Sequence, residues 1–341
     1  MRNIELLVPA SNLEVLKVAV IYGADAVYIG GEVFGLRAKA KNFSSEDMAE
    51  GIRFAHEHNV KVYVTVNILA HNADLDGVKA YLQELKEIGP DALIIADPAI
   101  FMLAKEICPD IERHISTQAN NTNYGTYNFW YNLGAKRVVS ARELSLAEIK
   151  EIRANIPDDL EIETFIHGAM CTSVSGRCVM SNYATLRDSN RGGCAQVCRF
   201  SFDIDGDNNT YSMTPKDLNM VPFIKDMIDI GVNSFKVEGR TKSLYYVSAV
   251  AKTYRQAINE ILDNPFVDME KYYQELLKVG NRGYTTGFYL GEGYPKDGYS
   301  YDISKGLAGA DFLCEIHDSN GGWYKIITKN KFNKNEDKIG R

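Results

Sequence analysis

The sequence predicts a closed (β/α)₈ barrel, and three features of its hydrophobic pattern support that fold class. Eight short runs rich in Val and Ile occur before residue 241, often apolar at consecutive positions, as strands buried on both faces are. Between most of them, apolar residues recur at the three- and four-residue spacing of amphipathic helices. Eight such units exceed the strand number of most open sheets, and no GxGxxG turn follows the first strand. A doubly wound open sheet is the alternative architecture.

Each element follows from its local pattern. The predicted strands cover residues 4–10, 25–31, 61–69, 91–97, 113–118, 136–141, 162–168 and 233–240. The predicted helices include residues 11–23, 44–59, 77–89, 145–156 and 243–263. Ser44 or Ser45 caps the second helix, because acidic residues follow in its first turn. Gly23 and Gly89 stand where helices end and the chain turns into the next strand.

The regular alternation breaks once, after the seventh strand. Residues 169–220 form a long insertion with four of the six cysteines and a hairpin predicted to turn through residues 205–209. Loops after barrel strands form the active-site face, so we expect this insertion to be functional. We therefore expect a barrel domain over residues 1–264 and a C-terminal extension over residues 265–341. The extension looks like the start of a small β-domain that is truncated.

Bulk composition excludes several classes of protein. The 341 residues are 45% hydrophobic and 24% charged, as in an ordinary globular protein. No stretch approaches the roughly 18 consecutive apolar residues of a membrane span, and no signal-peptide core follows Met1. We therefore expect a cytoplasmic protein with reduced thiols. A net charge of −7 argues against a protein that coats nucleic acid through an overall basic surface, although the insertion itself is locally basic.

Polar residues stand at the predicted carboxyl ends of the strands, where barrels place their chemistry. They are Asn67, Asp97, Ser116, Gln118, Arg142, Glu143, Glu163, His167, Glu238 and Arg240, joined by Lys216 and Asp217 from the hairpin. One such residue is most simply a helix cap, but so many on one rim predict a polar pocket. His167, four residues before Cys171, is either a general base for a cysteine nucleophile or a hydrogen-bonded structural residue.

The four cysteines of the insertion have an unusual spacing, C-x₆-C-x₁₅-C-x₃-C. They are Cys171, Cys178, Cys194 and Cys198. Structural zinc prefers paired C-x₂₋₄-C turns, and only the second pair approaches that spacing. Iron–sulfur clusters tolerate wider and irregular spacings. From the residues alone, a cluster, a zinc ion and a nucleophilic or redox thiol all stay open.

One long motif resembles a known family. Glu163-x-Phe165-x-x-Gly-Ala-Met-Cys171-x₄-Gly-x-Cys178-x-Met-Ser resembles the signature of the collagenase-like peptidases, the unassigned peptidase family thirty-two. The opening ELLVPA and the later HISTQ, SARELS and FKVEGR stretches are also similar to that family, over residues 4 to about 290. The resemblance implies a barrel-like α/β domain, with a C-terminal β-domain in longer members.

The resemblance implies two activities, proteolysis and hydroxylation. Some members are collagen-degrading, whereas the branch most similar to this sequence takes part in making 5-hydroxyuridine at the wobble position of tRNA. That branch implies a four-iron four-sulfur cluster on the four cysteines of the insertion, tRNA as partner and prephenate as a source of the hydroxyl group. It also leaves room for a paralogous partner subunit.

The residues favour hydroxylation over proteolysis. No HExxH or GxSxG motif is present, and a cysteine peptidase needs one activated thiolate rather than four clustered thiols. Arg142, Lys216, Lys236 and Arg240 are candidates to bind a small dicarboxylate donor. The predicted catalytic residues are His167, Glu163, Arg142, Lys216, Asp217, Glu238 and Arg240. The predicted substrate-binding residues are Asn67, Asp97, Gln118, Arg177 and Arg191, the arginines facing tRNA phosphates. A peptidase and a metal-stabilised scaffold are the alternatives.

Overall fold

The computed structural model describes residues 4–35, 42–203, 205–206, 210–291, 298–299, 314–320 and 323–328. Its centre is a closed barrel of eight parallel strands, because the last of them pairs with both the first and the seventh. The barrel strands are β1 (Glu5–Pro9), β2 (Ala26–Gly30), β3 (Lys61–Val66), β4 (Ala92–Ile95), β5 (Glu112–Ile115), β6 (Arg137–Val139), β7 (Glu161–Ala169) and β11 (Ser234–Val237).

Helices follow most of the barrel strands and cover the outside of the barrel, and one short helix, the seventh, lies in the insertion after β7. They are α1 (Leu13–Ile21), α2 (Ser45–Glu57), α3 (Leu75–Ile88), α4 (Pro98–Ile107), α5 (Tyr124–Leu133), α6 (Leu146–Ala154), α7 (Met180–Thr185), α8 (Ile224–Asp229), α9 (Leu244–Asp263) and α10 (Glu270–Leu276). Ser44 caps α2 by accepting from the Asp47 amide at 3.2 Å. Gly89 ends α3 in the left-handed region, at φ 76°. These caps lie where the sequence predicts helix boundaries.

Alternate residues of each barrel strand face opposite sides. Leu6, Val8 and Val27 belong to the large apolar core, which includes residues of the surrounding helices. Tyr28 and Tyr63 belong to a separate small cluster, formed by the alternating residues that face the barrel interior. The barrel centre is therefore packed with side chains rather than open.

Strand β7 is the longest strand of the barrel, and its last residues belong to a second sheet interaction. Strand β10 (Asp217–Asn219) pairs antiparallel with residues 167–169, and β12 (Tyr284–Thr285) pairs with β10. Tyr289 also donates its hydroxyl to the Phe165 carbonyl at 2.7 Å. Residues well beyond position 264 therefore pack directly on the barrel, and the boundary predicted there stays a prediction.

The eight predicted strands and the barrel are confirmed, and the open sheet is wrong. In the insertion, β8 (Phe202–Asp203) and β9 (Thr210–Tyr211) form the predicted hairpin, whose turn lies partly outside the described residues. Strands β13 (Cys314–Asn320) and β14 (Trp323–Thr328) form a small antiparallel sheet. In the part of the chain that the structure describes, every helix is too short or too polar to cross a membrane.

Candidate active site

Residues 170–200, here called the cysteine segment, lie across the carboxyl end of the barrel. The segment begins where β7 ends and bonds to loops that follow other strands. The Ser175 amide donates to Glu143 Oε1, in the loop after β6, at 2.9 Å. The Leu69 amide, in the loop after β3, donates to the Asn190 carbonyl at 3.2 Å. The segment therefore forms a roof over the barrel mouth.

Two residues fix the path of this roof. Gly176 has φ +70°, and a Cβ atom there would lie 2.1 Å from the Gln118 carbonyl oxygen, so the close approach requires glycine. Arg191 donates to Asp74 Oδ1 at 2.9 Å and to the Leu69 carbonyl at 3.0 Å. The hydrogen bonding of Arg191 to the Asp74 carboxylate, followed by a bond from the His71 amide, lowers the pKa of Asp74 to about 2.

All four thiols of the cysteine segment are free. Cys171 reaches the surface, yet the protein around its thiol raises its pKa, and Cys198 and Cys178 are close enough to add to that rise. Cys198 and Cys194 in turn both act electrostatically on Arg199. The thiols therefore share one neighbourhood at the roof. Within the described ranges, no group of three or more His, Cys, Asp or Glu side chains is arranged to hold a metal ion.

Arg142 lies at the rim, where it contacts the end of β7 and Glu238. Its guanidinium carbon is 3.9 Å from the centroid of the Phe165 ring. Its Nη1 donates to the Ala169 carbonyl at 2.8 Å, and its Nη2 donates to Glu238 Oε2 at 3.1 Å. The structure thus brings together two predicted catalytic residues, Arg142 and Glu238, next to the first cysteine.

Glu163 and Lys236 do not reach the rim. Both are buried inside the barrel, where Lys236 Nζ bonds Glu163 Oε1 at 2.6 Å and Arg137 Nη1 bonds Glu163 Oε2 at 3.2 Å. Arg137 also binds Glu5; burial alone would raise the Glu5 pKa, but this cation and hydrogen bonds lower it to about 2. The sequence prediction placed Glu163 at a strand end, and that position is wrong because β7 continues six residues further.

His167 packs away from the barrel mouth. Its ring contacts those of Tyr246 and Tyr254 on α9 and that of Tyr284, and its Nδ1 is 3.3 Å from the Tyr254 hydroxyl. Burial lowers its pKa to about 3, with a smaller contribution from Lys242. The pairing register between β7 and β11 shifts between Phe165 and His167. A bulge of this kind changes the direction in which a side chain points, here that of His167. The imidazole is therefore placed as a structural group.

Three other predicted rim residues, Arg240, Asp97 and Asn67, form hydrogen bonds at the strand ends. The roles predicted for Gln118, Arg177 and Lys216 stay predictions. Arg240 donates to Thr65 Oγ1 at 3.0 Å and to Asn42 Oδ1 at 2.9 Å. Asp97 caps α4, and the Asn67 amide group donates to Ser116 Oγ at 3.3 Å. Gln118 lies against Gly176, as described above, and Arg177 follows that glycine within the roof. The Lys216 amide donates to the Gly298 carbonyl at 2.8 Å.

Sequence reasoning missed a group of cations beside the roof. Arg199, Lys242 and Arg282, here called the cation cluster, all interact electrostatically with Asp217. Arg282 is buried and hydrogen-bonds Asp217, while Lys242 Nζ lies 4.8 Å from the centroid of the Tyr246 ring. Burial lowers the pKa of Arg199 and of Lys242. The charge of Arg282 lowers both pKa values further, and that of Arg199 also lowers the pKa of Lys242. Three positive charges therefore surround one carboxylate.

No sequence spacing predicts the cation cluster, since its members come from three separated segments. The buried Nε of Arg282 has no hydrogen-bond partner among the residues that the structure describes. Nearby, Glu238 is bound to Arg142 and also acts electrostatically on Lys242. The arrangement suits an anionic ligand at the edge of the roof.

Comparison with known proteins finds relatives that match most of this chain. The chain is 42% identical over 98% of its length to the tRNA hydroxylation protein P1 of Bacillus subtilis and covers 82% of that protein. It is 38% identical to the 23S rRNA 5-hydroxycytidine C2501 synthase of Escherichia coli, over 76% of this chain and 40% of that one. It is 35% identical to a collagenase of Porphyromonas gingivalis, over 85% of this chain and 74% of that one. The model of peptidase family U32 matches residues 11–297, and the chain belongs to that family.

Proposed function

We propose that the protein hydroxylates RNA, converting the wobble uridine of tRNA to 5-hydroxyuridine. The observation that carries the proposal is the roof of free thiols over a barrel mouth where Arg142 and Glu238 meet. The Bacillus subtilis relative is named for tRNA hydroxylation, and the Escherichia coli relative is named for making 5-hydroxycytidine in rRNA. RNA hydroxylation is the reaction that these two names share. A tRNA substrate would place the protein in the cytoplasm, where thiols stay reduced.

The chemistry of the donor set, four free thiols in one segment, suits the four-iron four-sulfur cluster that the family resemblance implies. The described side chains are not arranged around one metal position, so binding would have to draw the thiols together. Four free thiols share the roof, and soft thiolate ligands select iron–sulfur clusters or zinc. The nearby guanidinium groups of Arg142 and Arg199 would offset the negative charge of the thiolates. We assign Cys171, Cys178, Cys194 and Cys198 as the ligands, with zinc as the alternative. The bound cluster would supply electron transfer or Lewis acidity toward an oxygen donor.

We assign the cation cluster as the binding site of the oxygen donor. Replacing the C5–H bond of uridine by C5–OH is a two-electron oxidation, so the reaction needs a second substrate that supplies the oxygen atom and accepts the two electrons. Of the four predicted donor-binding cations, Arg142 is bound to Glu238, Lys236 to Glu163, and Arg240 to Thr65 and Asn42. The role of the fourth, Lys216, stays a prediction. Arg199, Lys242 and Arg282 have the Asp217 carboxylate in common, and Glu238, which acts on Lys242, is itself bound to Arg142. A dicarboxylate such as prephenate, implied by the family resemblance, matches that excess positive charge.

Mass spectrometry of tRNA nucleosides tests the reaction directly. A strain lacking the gene should lose 5-hydroxyuridine, and the wild-type gene should restore it. Cys194→Ala should fail to restore it, and the anaerobically purified variant should lack iron, sulfide and the broad visible absorbance of the wild type. Cys314→Ala is the matched control, because that thiol lies outside the roof, in β13. Unchanged 5-hydroxyuridine on deletion would exclude the reaction, and retained iron and sulfide in Cys194→Ala would exclude the ligand assignment.

Proteolysis is the second candidate, favoured by the relative named collagenase. A cysteine peptidase needs a base beside its thiol. The histidine nearest the cysteines in sequence, His167, lies instead among Tyr246, Tyr254 and Tyr284. Incubating pure protein with gelatin tests this candidate. Cleavage that one substitution abolishes would support a peptidase and count against the hydroxylase.

A further inference from the structure

Helix α7 presents large apolar side chains to solvent between two of the roof cysteines. Tyr183 is 86% exposed and Leu186 is 94% exposed. Val179, which directly precedes the helix, is also exposed. Scattered apolar residues on a surface need no explanation, but a contiguous group marks an interaction site. Here the group lies between Cys178 and Cys194 in the sequence.

Leu186 adopts a backbone conformation that its side chain disfavours. It ends α7 in the left-handed region, at φ 54° and ψ 29°. Its amide donates to the Asn182 carbonyl at 3.0 Å, and the Arg187 amide donates to the Ser181 carbonyl at 3.3 Å. Glycine is the usual residue at such a helix end, because it has no Cβ to crowd the backbone. Since this leucine also gains no burial, the fold itself does not account for it.

The support beneath these side chains is tightly bonded. Ser181 is buried, and its Oγ accepts from the Ala195 amide at 3.0 Å. Ser189 Oγ and Asn190 Nδ2 donate to the Cys178 carbonyl at 2.6 Å and 2.9 Å. The helix is therefore held in place with its apolar side chains directed outward. Such preorganisation lowers the entropy cost of binding a partner.

The charge of this region identifies the class of partner. Residues 171–200 carry four arginines and one aspartate, in a chain whose net charge is −7. Arg191 is paired with Asp74 and Arg199 lies near Asp217, so Arg177 and Arg187, on either side of α7 in the sequence, supply the positive charge of this region. A polyanion is therefore favoured over an ordinary protein surface. An exposed aromatic ring among arginines is the combination that binds unpaired RNA, because bases stack on the ring while guanidinium groups take phosphates.

We infer that α7 is the RNA-contact element of the protein, in which Tyr183 stacks on an unpaired base and Leu186 inserts beside it. Arg177 and Arg187 bind the flanking phosphates. The ligand is a single-stranded RNA loop, and this assignment rests on the proposed RNA hydroxylation. It adds the surface that holds the substrate loop beside the cysteines.

Fluorescence anisotropy with a labelled anticodon stem-loop RNA, carrying uridine at the wobble position, tests the assignment. Tyr183→Ala should weaken binding about fivefold or more, the least that loss of one base stack costs. Tyr183→Phe keeps the ring and should bind like the wild type. Leu186→Ala should also weaken binding, and Arg187→Gln should reduce the slope of log Kd against log salt by about one. Phe266→Ala is the matched control, because Phe266 is 92% exposed and follows α9, outside the roof.

The outcomes distinguish failure of the α7 assignment from failure of the proposed RNA hydroxylation. Wild-type protein that binds the stem-loop, with Tyr183→Ala and Leu186→Ala binding as tightly as Phe266→Ala, would overturn the α7 assignment alone. Wild-type protein that neither binds RNA nor restores 5-hydroxyuridine in the deletion strain would overturn the proposed function as well. If Tyr183→Ala is present in cells at the wild-type level and still restores 5-hydroxyuridine at the wild-type rate, the assignment of α7 as the RNA-contact element is also contradicted.

Discussion

Arg191 joins the roof to the opposite edge of the barrel mouth by donating to Asp74 at the start of α3, with Nη2 2.9 Å from Oδ1. The two residues are 117 positions apart in the sequence. The sequence predicts that Arg191 binds tRNA phosphate, and in the structure Arg191 holds the roof that carries the cysteines. The role in RNA binding stays a prediction, and the bond to Asp74 gives Arg191 a positioning role that can be measured separately.

Arg191→Met should loosen the roof without unfolding the barrel. The ion pair lies near the surface, so its loss should cost at most about 1 kcal/mol of unfolding free energy. Amide hydrogen exchange should rise in residues 186–195 while the barrel strands stay protected. Exchange that is unchanged in the roof would show that other bonds hold it.

The same pair predicts a carboxyl titration. Arg191 holds the Asp74 pKa at about 2, below its ordinary value, so the bonded form is stable above pH 4 and is lost as the pH falls toward 2. NMR of the Asp74 carboxyl carbon should show this low midpoint. In Arg191→Met the midpoint should return toward the ordinary value, and an unshifted midpoint in both proteins would rule out the bond in solution.

Lys236→Met should destabilise the protein strongly, because it leaves Glu163 buried beside only one cation. Breaking a buried pair by removing one partner costs roughly 3–5 kcal/mol. The double variant Glu163→Gln/Lys236→Met should recover part of this loss, as measured by urea unfolding. Lys271→Met is the control, because Lys271 pairs with Glu260 on the surface and should cost about 0–1 kcal/mol. A stable but inactive Glu163→Gln protein would restore the predicted catalytic role of Glu163.

His167→Phe should remove part of the acid sensitivity of the fold. The histidine pKa is about 3 in the folded protein and near 6.5 when unfolded, so the unfolded chain binds a proton first as the pH falls. Its contribution to stability is therefore full above pH 6.5 and declines between pH 6.5 and 3. The difference in unfolding free energy between wild type and variant should change across that window. The pH profile of hydroxylation should be the same in both proteins, whereas loss of the acidic limb in the variant would make His167 the catalytic base.

Gly176→Ala should disturb the cysteines more than it disturbs the barrel. Its Cβ would meet the Gln118 carbonyl at 2.1 Å, and a backbone atom cannot move aside cheaply. Gly89→Ala is the matched control, since Gly89 has a similar φ of +76° with nothing within 4 Å of a Cβ. Both should cost about 1 kcal/mol for the left-handed backbone, but only Gly176→Ala should lower the iron bound per chain. Equal iron content in both variants would show that the close approach is unimportant.

The sequence predicts the barrel well because its local signals agree with the final packing. Val- and Ile-rich runs become strands buried on both faces, and Ser44 and Gly89 act where capping rules place them. The rim is predicted less well. Arg142 and Glu238 do meet there, but the length and bulge of β7 move Glu163 into the barrel and turn His167 toward α9. A register shift of this kind leaves no periodic signal.

The cation cluster could not be predicted for a different reason. Arg199, Lys242 and Arg282 meet through tertiary packing, and each looks like an ordinary surface charge in its own segment. The exposure of Tyr183 and Leu186 could not be predicted from the sequence either, since both residue types are common on buried faces as well as on exposed ones. Contacts between distant segments decide both features.

The pairing of β12 with β10, and of β10 with the end of β7, limits how the protein can be shortened. A fragment ending at residue 264 would lack Arg282 and so leave the Asp217 carboxylate buried without its guanidinium partner. It would also expose the aromatic neighbours of His167 by removing Tyr284. The smallest independently folding piece therefore has to run through Tyr289, and deletion mapping should show a sharp loss of soluble expression between those two end points.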